Sequence, residues 1–366
     1  MHEEFHRMDL HVFNPEHDIA LAHNRRHLTM PHAAQELRMN LGWIPALWAS
    51  DGDAVLVDDI AFAIKASSGI VKGKDVLFVT WNDLPELPID YVNPWGWDIT
   101  LQTALAEHGV ATHLLPTEEK LSAVRKLSSR QSTIPTLSFL RDGIQDQTCG
   151  KARYHESLDS LSDTLAEWQR VVLKSPWSSS GRGIRYVDSE MNPSVKGWVQ
   201  RVIQQQGGVM TEPYYNKVMD FGMEFFMHEN GEVEYAGLSL FHTVNNVYTG
   251  NLLAPEEEKR MILDKWIPAS LTDMVRDRIC TYIPTMLHPH YAGPLGIDMM
   301  VVSRHDQQGF LLHPCVEINL RRTMGHVALA LTPPEGQSQQ LMSIEHKGNY
   351  FLKSLLRIEE IHVETG

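Results

Sequence analysis

Near Val209 the residue pattern changes from one rhythm to another, and few architectures accommodate both. Before it, short apolar runs alternate with helical stretches. Residues 10–13, 55–57 and 76–79 read as buried strands, 99–108 as a helix and 110–114 as the strand after it. Such alternation predicts a parallel sheet with ligand-binding loops at its strand ends. Residues 118–132 read as a basic helix, and a boundary is placed near them. Residues 158–168 and 195–206 follow as helices, with a strand at 171–174 between them. After Val209 the pattern turns to hairpins. Residues 223–227 and 233–241 flank HENGE, whose Asn230-Gly231 suits a tight turn, and 297–302 and 310–318 flank SRHDQQG. Helices are expected at 270–286 and 349–358.

At 366 residues the chain exceeds what one core usually supports, so two or three subdomains around a cleft are expected. The expected divisions are 1–120, an α/β domain, then 121–208 and 209–366, two α+β subdomains. A net charge of −14 argues against non-specific binding to nucleic acid or an anionic membrane. Cys149, Cys280 and Cys315 are scattered and odd in number, which fits a reducing, cytoplasmic setting rather than a disulfide framework. The first ten residues do not read as a signal peptide, and no apolar run approaches the roughly 20 residues of a membrane span.

Three constellations carry chemistry. In VVLKSPWSSSGRGIRYV an apolar strand delivers Lys174, and a small-residue loop follows, comprising Ser179, Ser180, Gly181, Arg182 and Gly183. Small side chains let backbone N–H groups approach phosphate oxygens, and the lysine adds a point charge. The bland alternative is a solvent loop, and this is not a Walker P-loop. In VMTEPYY, Thr211 and Glu212 lie on a short strand whose backbone edge can read an adenine; Glu224 beyond it can take ribose hydroxyls. Alone, that pattern is commonplace. Finally, Asp298 in GIDMMVV and Glu317 and Asn319 in CVEINLRR fall on two strands expected to pair. Residues 317, 319 and 321 share a face, because a strand repeats every two residues. Hard oxygen ligands of this kind suit Mg²⁺ bridging to phosphates, and Arg321 is placed to meet a transferring phosphoryl group. Carboxylates on a solvated sheet face are the alternative, but their apolar setting makes unpaired charge costly.

In this order the three constellations resemble the ATP-grasp superfamily, over roughly residues 128–328. The resemblance implies an N-terminal α/β domain followed by two α+β subdomains closing on ATP. It matches Lys174 and the loop at 178–183 to the family's strand-end lysine and flap, the GRG being like the biotin-carboxylase branch. It matches Glu212 to the hinge glutamate, Glu224 loosely to a ribose-binding acid, and Asp298 with E-x-N-x-R to the metal ligands and following arginine. The family's first nucleotide lysine has no clear equivalent, and Arg130 is the best candidate. ATP with Mg²⁺, or Mn²⁺ in its place, is the implied cofactor. The implied reaction activates a carboxylate as an acylphosphate for attack by an amine or thiol, releasing ADP and phosphate. A phosphotransferase and a non-catalytic nucleotide-binding module are the alternatives. The partners are small carboxylates and amines, and the oligomeric state stays open, a homodimer included.

Asp220-Phe221-Gly222 spells a kinase motif but lacks its companions, and the 19 histidines show no HExxH spacing. FNPEHD and NPWGWD both end apolar runs at expected strand ends, where open α/β sheets bind ligands. Asn14, Glu16, His17, Trp97 and Asp98 are therefore candidates for the acceptor-substrate pocket, with turn chemistry and capping an equal alternative.

Overall fold

The computed structural model describes residues 7–178, 183–244, 247–304, 308–334 and 336–356. The flap candidates Ser179, Ser180, Gly181 and Arg182 lie outside the described residues.

The first strands are short and pair in parallel. They are β1 (Met8–Val12), β2 (Ala54–Leu56), β3 (Leu77–Val79) and β4 (Ile89–Pro94), in the order β3-β2-β1-β4. Strand β2 and the end of β1 are buried on both faces at the centre of the sheet. Around them lie α1 (His17–His23), α2 (His32–Leu41), α3 (Ile60–Ser67) and α4 (Ile99–Glu107). The expected strand at 110–114 is instead a 3₁₀ turn at Thr112–Leu114. Val110 is buried there but 111–113 are exposed, so the segment has too little apolar surface to add a strand.

The basic helix at 118–132 is broken. Helix α5 (Glu118–Leu127) stops, a 3₁₀ turn holds Arg130–Ser132, and α6 (Thr133–Arg141) begins. Two serines cause the break: Ser128 Oγ donates back to Val124 O, and the Ser129 hydroxyl accepts from Gln131 N. A second sheet then forms from β5 (Arg153–His155), β6 (Arg170–Lys174), β7 (Ile184–Asp188) and β8 (Val209–Pro213), with α7 (Leu158–Trp168) and α8 (Pro193–Gln206). Its order is β5-β8-β6-β7. Because β8 pairs within this sheet, we propose placing the second boundary at 213–217 rather than 208.

The rest of the chain builds a seven-stranded antiparallel sheet. Its strands are β9 (Lys217–Met227), β10 (Val233–Val244), β11 (Val247–Leu253), β12 (Gly293–Ser303), β13 (Phe310–Asn319), β14 (Gln340–His346) and β15 (Tyr350–Leu356), in the order β13-β12-β9-β10-β11-β14-β15. Strand β15 replaces the expected helix at 349–358, of which 357 and 358 lie outside the described residues. Gly348 takes φ +81° in the turn, and Tyr350 then pairs with His346, so the segment has a ladder partner that local propensity does not reveal. Helices α9 (Glu256–Asp264), α10 (Ala269–Leu287) and α11 (Met324–Ala330) complete the fold.

Strand alternation separates this sheet's two faces. Phe221, Met223 and Phe225 of β9 and Ile297, Met299 and Val301 of β12 are buried in the main core. Helix α10 meets them with Leu271, Val275, Ile279 and Ile283, one residue per turn along a single stripe. The opposite face is left for the polar residues of the site. Phe225→Ala should remove about 3–5 kcal/mol of stability, measured by urea denaturation, because Phe225 is fully buried at the middle of this core.

Candidate active site

Asp298 and Glu317 are direct cross-strand partners, and Gly296 pairs with Asn319 one step along. All three functional side chains lie on the face away from the core, and Asn319 Nδ2 donates to Asp298 Oδ2 at 3.3 Å. Burial and the neighbouring Glu317 push the Asp298 carboxyl well above its usual range. Two carboxylates this close attract a divalent cation. Among the described residues no trio of His, Cys, Asp and Glu is placed to hold a metal. A pair of carboxylates with an amide oxygen, completed by phosphate oxygens, is nevertheless an ordinary Mg²⁺ environment, and the residues present fit it.

Two arginines compensate the pair. Arg130, 6 % exposed, donates to Glu317 at 2.7 Å and to Ser175 O, Ser178 Oγ and Ser178 O at 2.8–3.1 Å. It therefore ties the base of the flap to the metal strand. Gly183 closes that base: a Cβ there would lie 2.2 Å from Ser178 Oγ. Arg321 reaches the same face, but its Nε and Nη2 donate to the two carboxylate oxygens of Asp18 in α1, at 3.1 and 2.9 Å. Sequence reasoning missed Asp18, which sits 303 residues away; its neighbours in NPEHD were singled out instead.

Lys174 ends β6 as expected, and its Nζ lies 2.7 Å from Glu212, both side chains buried. In this state each neutralises the other. Thr211 is on the opposite face, beside Leu173, with its hydroxyl buried and unpartnered. It contributes no side chain to the Lys174–Glu212 face. The expected free backbone edge is also occupied. Strand β5 pairs with Val209–Thr211 and β6 with Met210–Pro213, so only the edge of β8 from Glu212 onward, on the β5 side, is left unpaired.

Glu224, expected as a ribose acid, lies two residues past the level of Asp298 along β9. Along β9, which leaves the hinge at Lys217, Asp220 pairs with Met300, Gly222 with Asp298 and Glu224 with Gly296. If the base lies at the hinge and the phosphates at Asp298, Glu224 is beyond the phosphates. Asp220 is on the near side, on the same face, bound to Lys217 and by Thr243 Oγ1. The β9 register, which sets these levels, cannot be read from the sequence.

Glu224 is 2 % exposed and wedged between two glycines. A Cβ at residue 325 would lie 1.9 Å from its Oε1, and one at residue 296 would lie 2.5 Å from its Oε2. Thr323 Oγ1 donates to it at 2.8 Å, and burial pushes its carboxyl up to about 8. His326 lies 3.1 Å away, close enough for an ion pair, but burial pushes its imidazole down to about 3. Nδ1 of that ring accepts from Thr323 N, and Nε2 is placed to donate to Phe225 O. The contact is accordingly between neutral groups.

The acceptor candidates from NPEHD and NPWGWD form a closed knot. Asn14 Nδ2 donates to Gly96 O and Asp98 Oδ2, Asp98 Oδ2 also meets His17 Nδ1 at 3.1 Å, and Asp98 Oδ1 caps α4 at Leu101 N. Glu16 pairs with Arg38 at 2.8 Å, and Trp97 packs on the parallel-sheet core. Asn14, His17 and Asp98 are thus bonded to one another, whereas Glu16 Oε2 is buried without a partner among the described residues and His17 lines a small pocket beside Asp18, Ser178, Glu317 and Arg321. Their chain neighbours Phe13, Pro15, Asp18 and Trp95 face a cavity of about 320 Å³ that also meets Arg130, Asp298, Glu317 and Arg321.

No protein-family model matches the sequence, and no curated protein does. Solved structures match its shape. Biotin carboxylase from Campylobacter jejuni, solved as a β-γ-ATP complex, aligns with TM-score 0.51 at 12 % identity, over 92 % of this chain and 75 % of that one. The biotin carboxylase domain of Hydrogenobacter thermophilus 2-oxoglutarate carboxylase, solved with MgADP, ADP and bicarbonate, aligns with TM-score 0.50 at 12 % identity, over 84 % and 72 %. The chain has the ATP-grasp fold. Identity this low speaks to the fold alone. N5-carboxyaminoimidazole synthetase from Staphylococcus aureus, in complex with ADP, aligns less well, at TM-score 0.49 and 11 % identity over 92 % and 82 %.

The raised carboxyl of Glu224 sets a pH dependence. Its proton is held more tightly in the folded chain than in the unfolded one, so stability is lost as pH rises from 4.5 towards about 8. Metal-free wild type should lose more stability than Glu224→Gln across that interval, in denaturant titrations at pH 5 and pH 9. The excess loss is about 1.4 kcal/mol for each tenfold difference in proton affinity between the folded and unfolded chain.

Proposed function

We propose that this protein is a Mg²⁺·ATP-dependent ligase that joins a carboxylate to an amine, or less readily a thiol, through an acylphosphate. The observation that carries the reading is the adjacent pair Asp298–Glu317 with Asn319, facing a cavity that also meets Arg130 and the base of the flap. The ADP- and ATP-bound biotin carboxylases of the same fold support it.

In this reading Lys174, the flap and Arg130 hold the phosphates, and the unpaired backbone edge of β8 from Glu212 onward meets the base. Asp220 replaces Glu224 as the acid for the ribose. Asp298, Glu317 and Asn319 hold Mg²⁺, which supplies charge neutralisation on the phosphate oxygens. The substrate carboxylate attacks the γ-phosphorus, and the bond to the β-phosphate oxygen breaks to release ADP. Arg321, oriented by Asp18, stabilises charge on the transferring group. The amine nitrogen then attacks the acyl carbon, phosphate leaves, and the nitrogen loses a proton. Positioning and charge do the work, so no protein nucleophile is needed.

Saturating Mg²⁺·ATP should raise the melting temperature by several degrees, since a ligand at 100 times its dissociation constant adds about 2.7 kcal/mol. Asp298→Ala and Glu317→Ala should abolish the magnesium-dependent part. Turnover should release ADP and phosphate; AMP and pyrophosphate among the products would sink the acylphosphate reading.

A further inference from the structure

The sheet floor runs on past the metal strands towards the N-terminal domain. From β12 to β11 there are three strand steps, about 14 Å. Over that distance the cavity wall changes character. Phe13 and Trp95, packed edge to face at 5.0 Å, form one side, and Phe241, Tyr248 and Ile344 form the other. The polar groups there are spent on one another: Tyr248 Oη donates to Asn251 Oδ1, and Asn251 Nδ2 donates to Ser239 Oγ at 2.7 Å. Tyr248 therefore offers the ligand its ring.

Charge narrows the choice further. The cationic side chains among the described residues of this cavity are Arg130 and Arg321. Arg130 is held by Glu317 and Arg321 by Asp18. The remaining titratable walls, Asp18, Glu224, Asp298 and Glu317, are carboxyl groups. A substrate with a phosphate or second carboxylate at the far end would meet aromatic rings and no cation among the described residues, at a desolvation cost. An aryl or alkyl body gains from burial there.

We propose that the far end of the cavity is the seat of an apolar, aryl-sized body belonging to the carboxylic acid substrate. Its single carboxylate lies by Arg321 and the Asp298–Glu317 pair, and it bears no second anionic group. The assignment rests on the ligase reading for the position of the carboxylate, whereas the apolar seat stands on its walls alone.

Melting temperatures of the full chain, with and without Mg²⁺·ADP, test both. The probes are 3-phenylpropanoate, phenethylamine, succinate and 3-phosphoglycerate. The expected result is half-saturation by 3-phenylpropanoate at a concentration at least tenfold below the other three. Ile344→Asp should raise that concentration at least tenfold while keeping the Mg²⁺·ADP shift, which shows that the variant is folded. Better binding of succinate or 3-phosphoglycerate overturns the apolar seat. Better binding of phenethylamine moves the body to the amine and overturns the acid assignment. A Mg²⁺·ADP shift with no response to any acid overturns the proposal and leaves the nucleotide site standing. Tight 3-phenylpropanoate binding with no nucleotide shift upholds the seat and sinks the ligase reading.

Discussion

Asp298 and Glu317 stand directly opposite each other on adjacent strands, so two carboxylates share one half-buried patch of sheet. Like charges in that position repel, and burial removes the water that would screen them. Much of the surrounding structure supplies compensation. Asn319 donates to one carboxylate and Arg130 to the other, and Arg321 adds positive charge near both. Bound Mg²⁺ would complete the arrangement, so the ligand-free site is built as one half of an electrostatic pair.

The two arginines also connect separate parts of the chain. Arg130 joins the turn before α6 to the flap base and to β13. Arg321 joins the end of the metal strand to α1 in the N-terminal region. Both contacts bind planar, multidentate guanidinium groups, a geometry that a lysine would not reproduce. Ser178 and α1 are therefore tied directly to the carboxylate patch. The same logic holds at Lys174 and Glu212, whose opposite charges are buried and paired with each other.

The placements most legible in the sequence are those of residues that sit in one strand. Glu317, Asn319 and Arg321 share a face by strand period alone, and their pairing with Asp298 needed only a hairpin between two apolar runs. Glu224 was harder, because its role depends on how far β9 slides along β12, and the register is set by packing between strands. Asn14, His17 and Asp98 were conspicuous for their polarity at strand ends, yet that polarity is consumed in fixing the loops that carry Asp18 and Trp95. Strand β15 went unseen since an apolar run of this length reads equally as helix until its partner β14 is known.

By itself the sequence determined the succession of a parallel α/β region and long antiparallel hairpins, the two pairing strands that bear Asp298 and Glu317, and Lys174 at the end of a strand. These are local matters of period, turn chemistry and residue size. Only the tertiary structure decided that Asp18 grips Arg321, that Arg130 bridges flap and metal strand, that Glu224 lies beyond the metal carboxylates, and that aromatic residues from distant segments wall the far end of the cavity. Each of those depends on contacts between residues far apart in the chain, which strand register and interdomain packing create and no local pattern encodes.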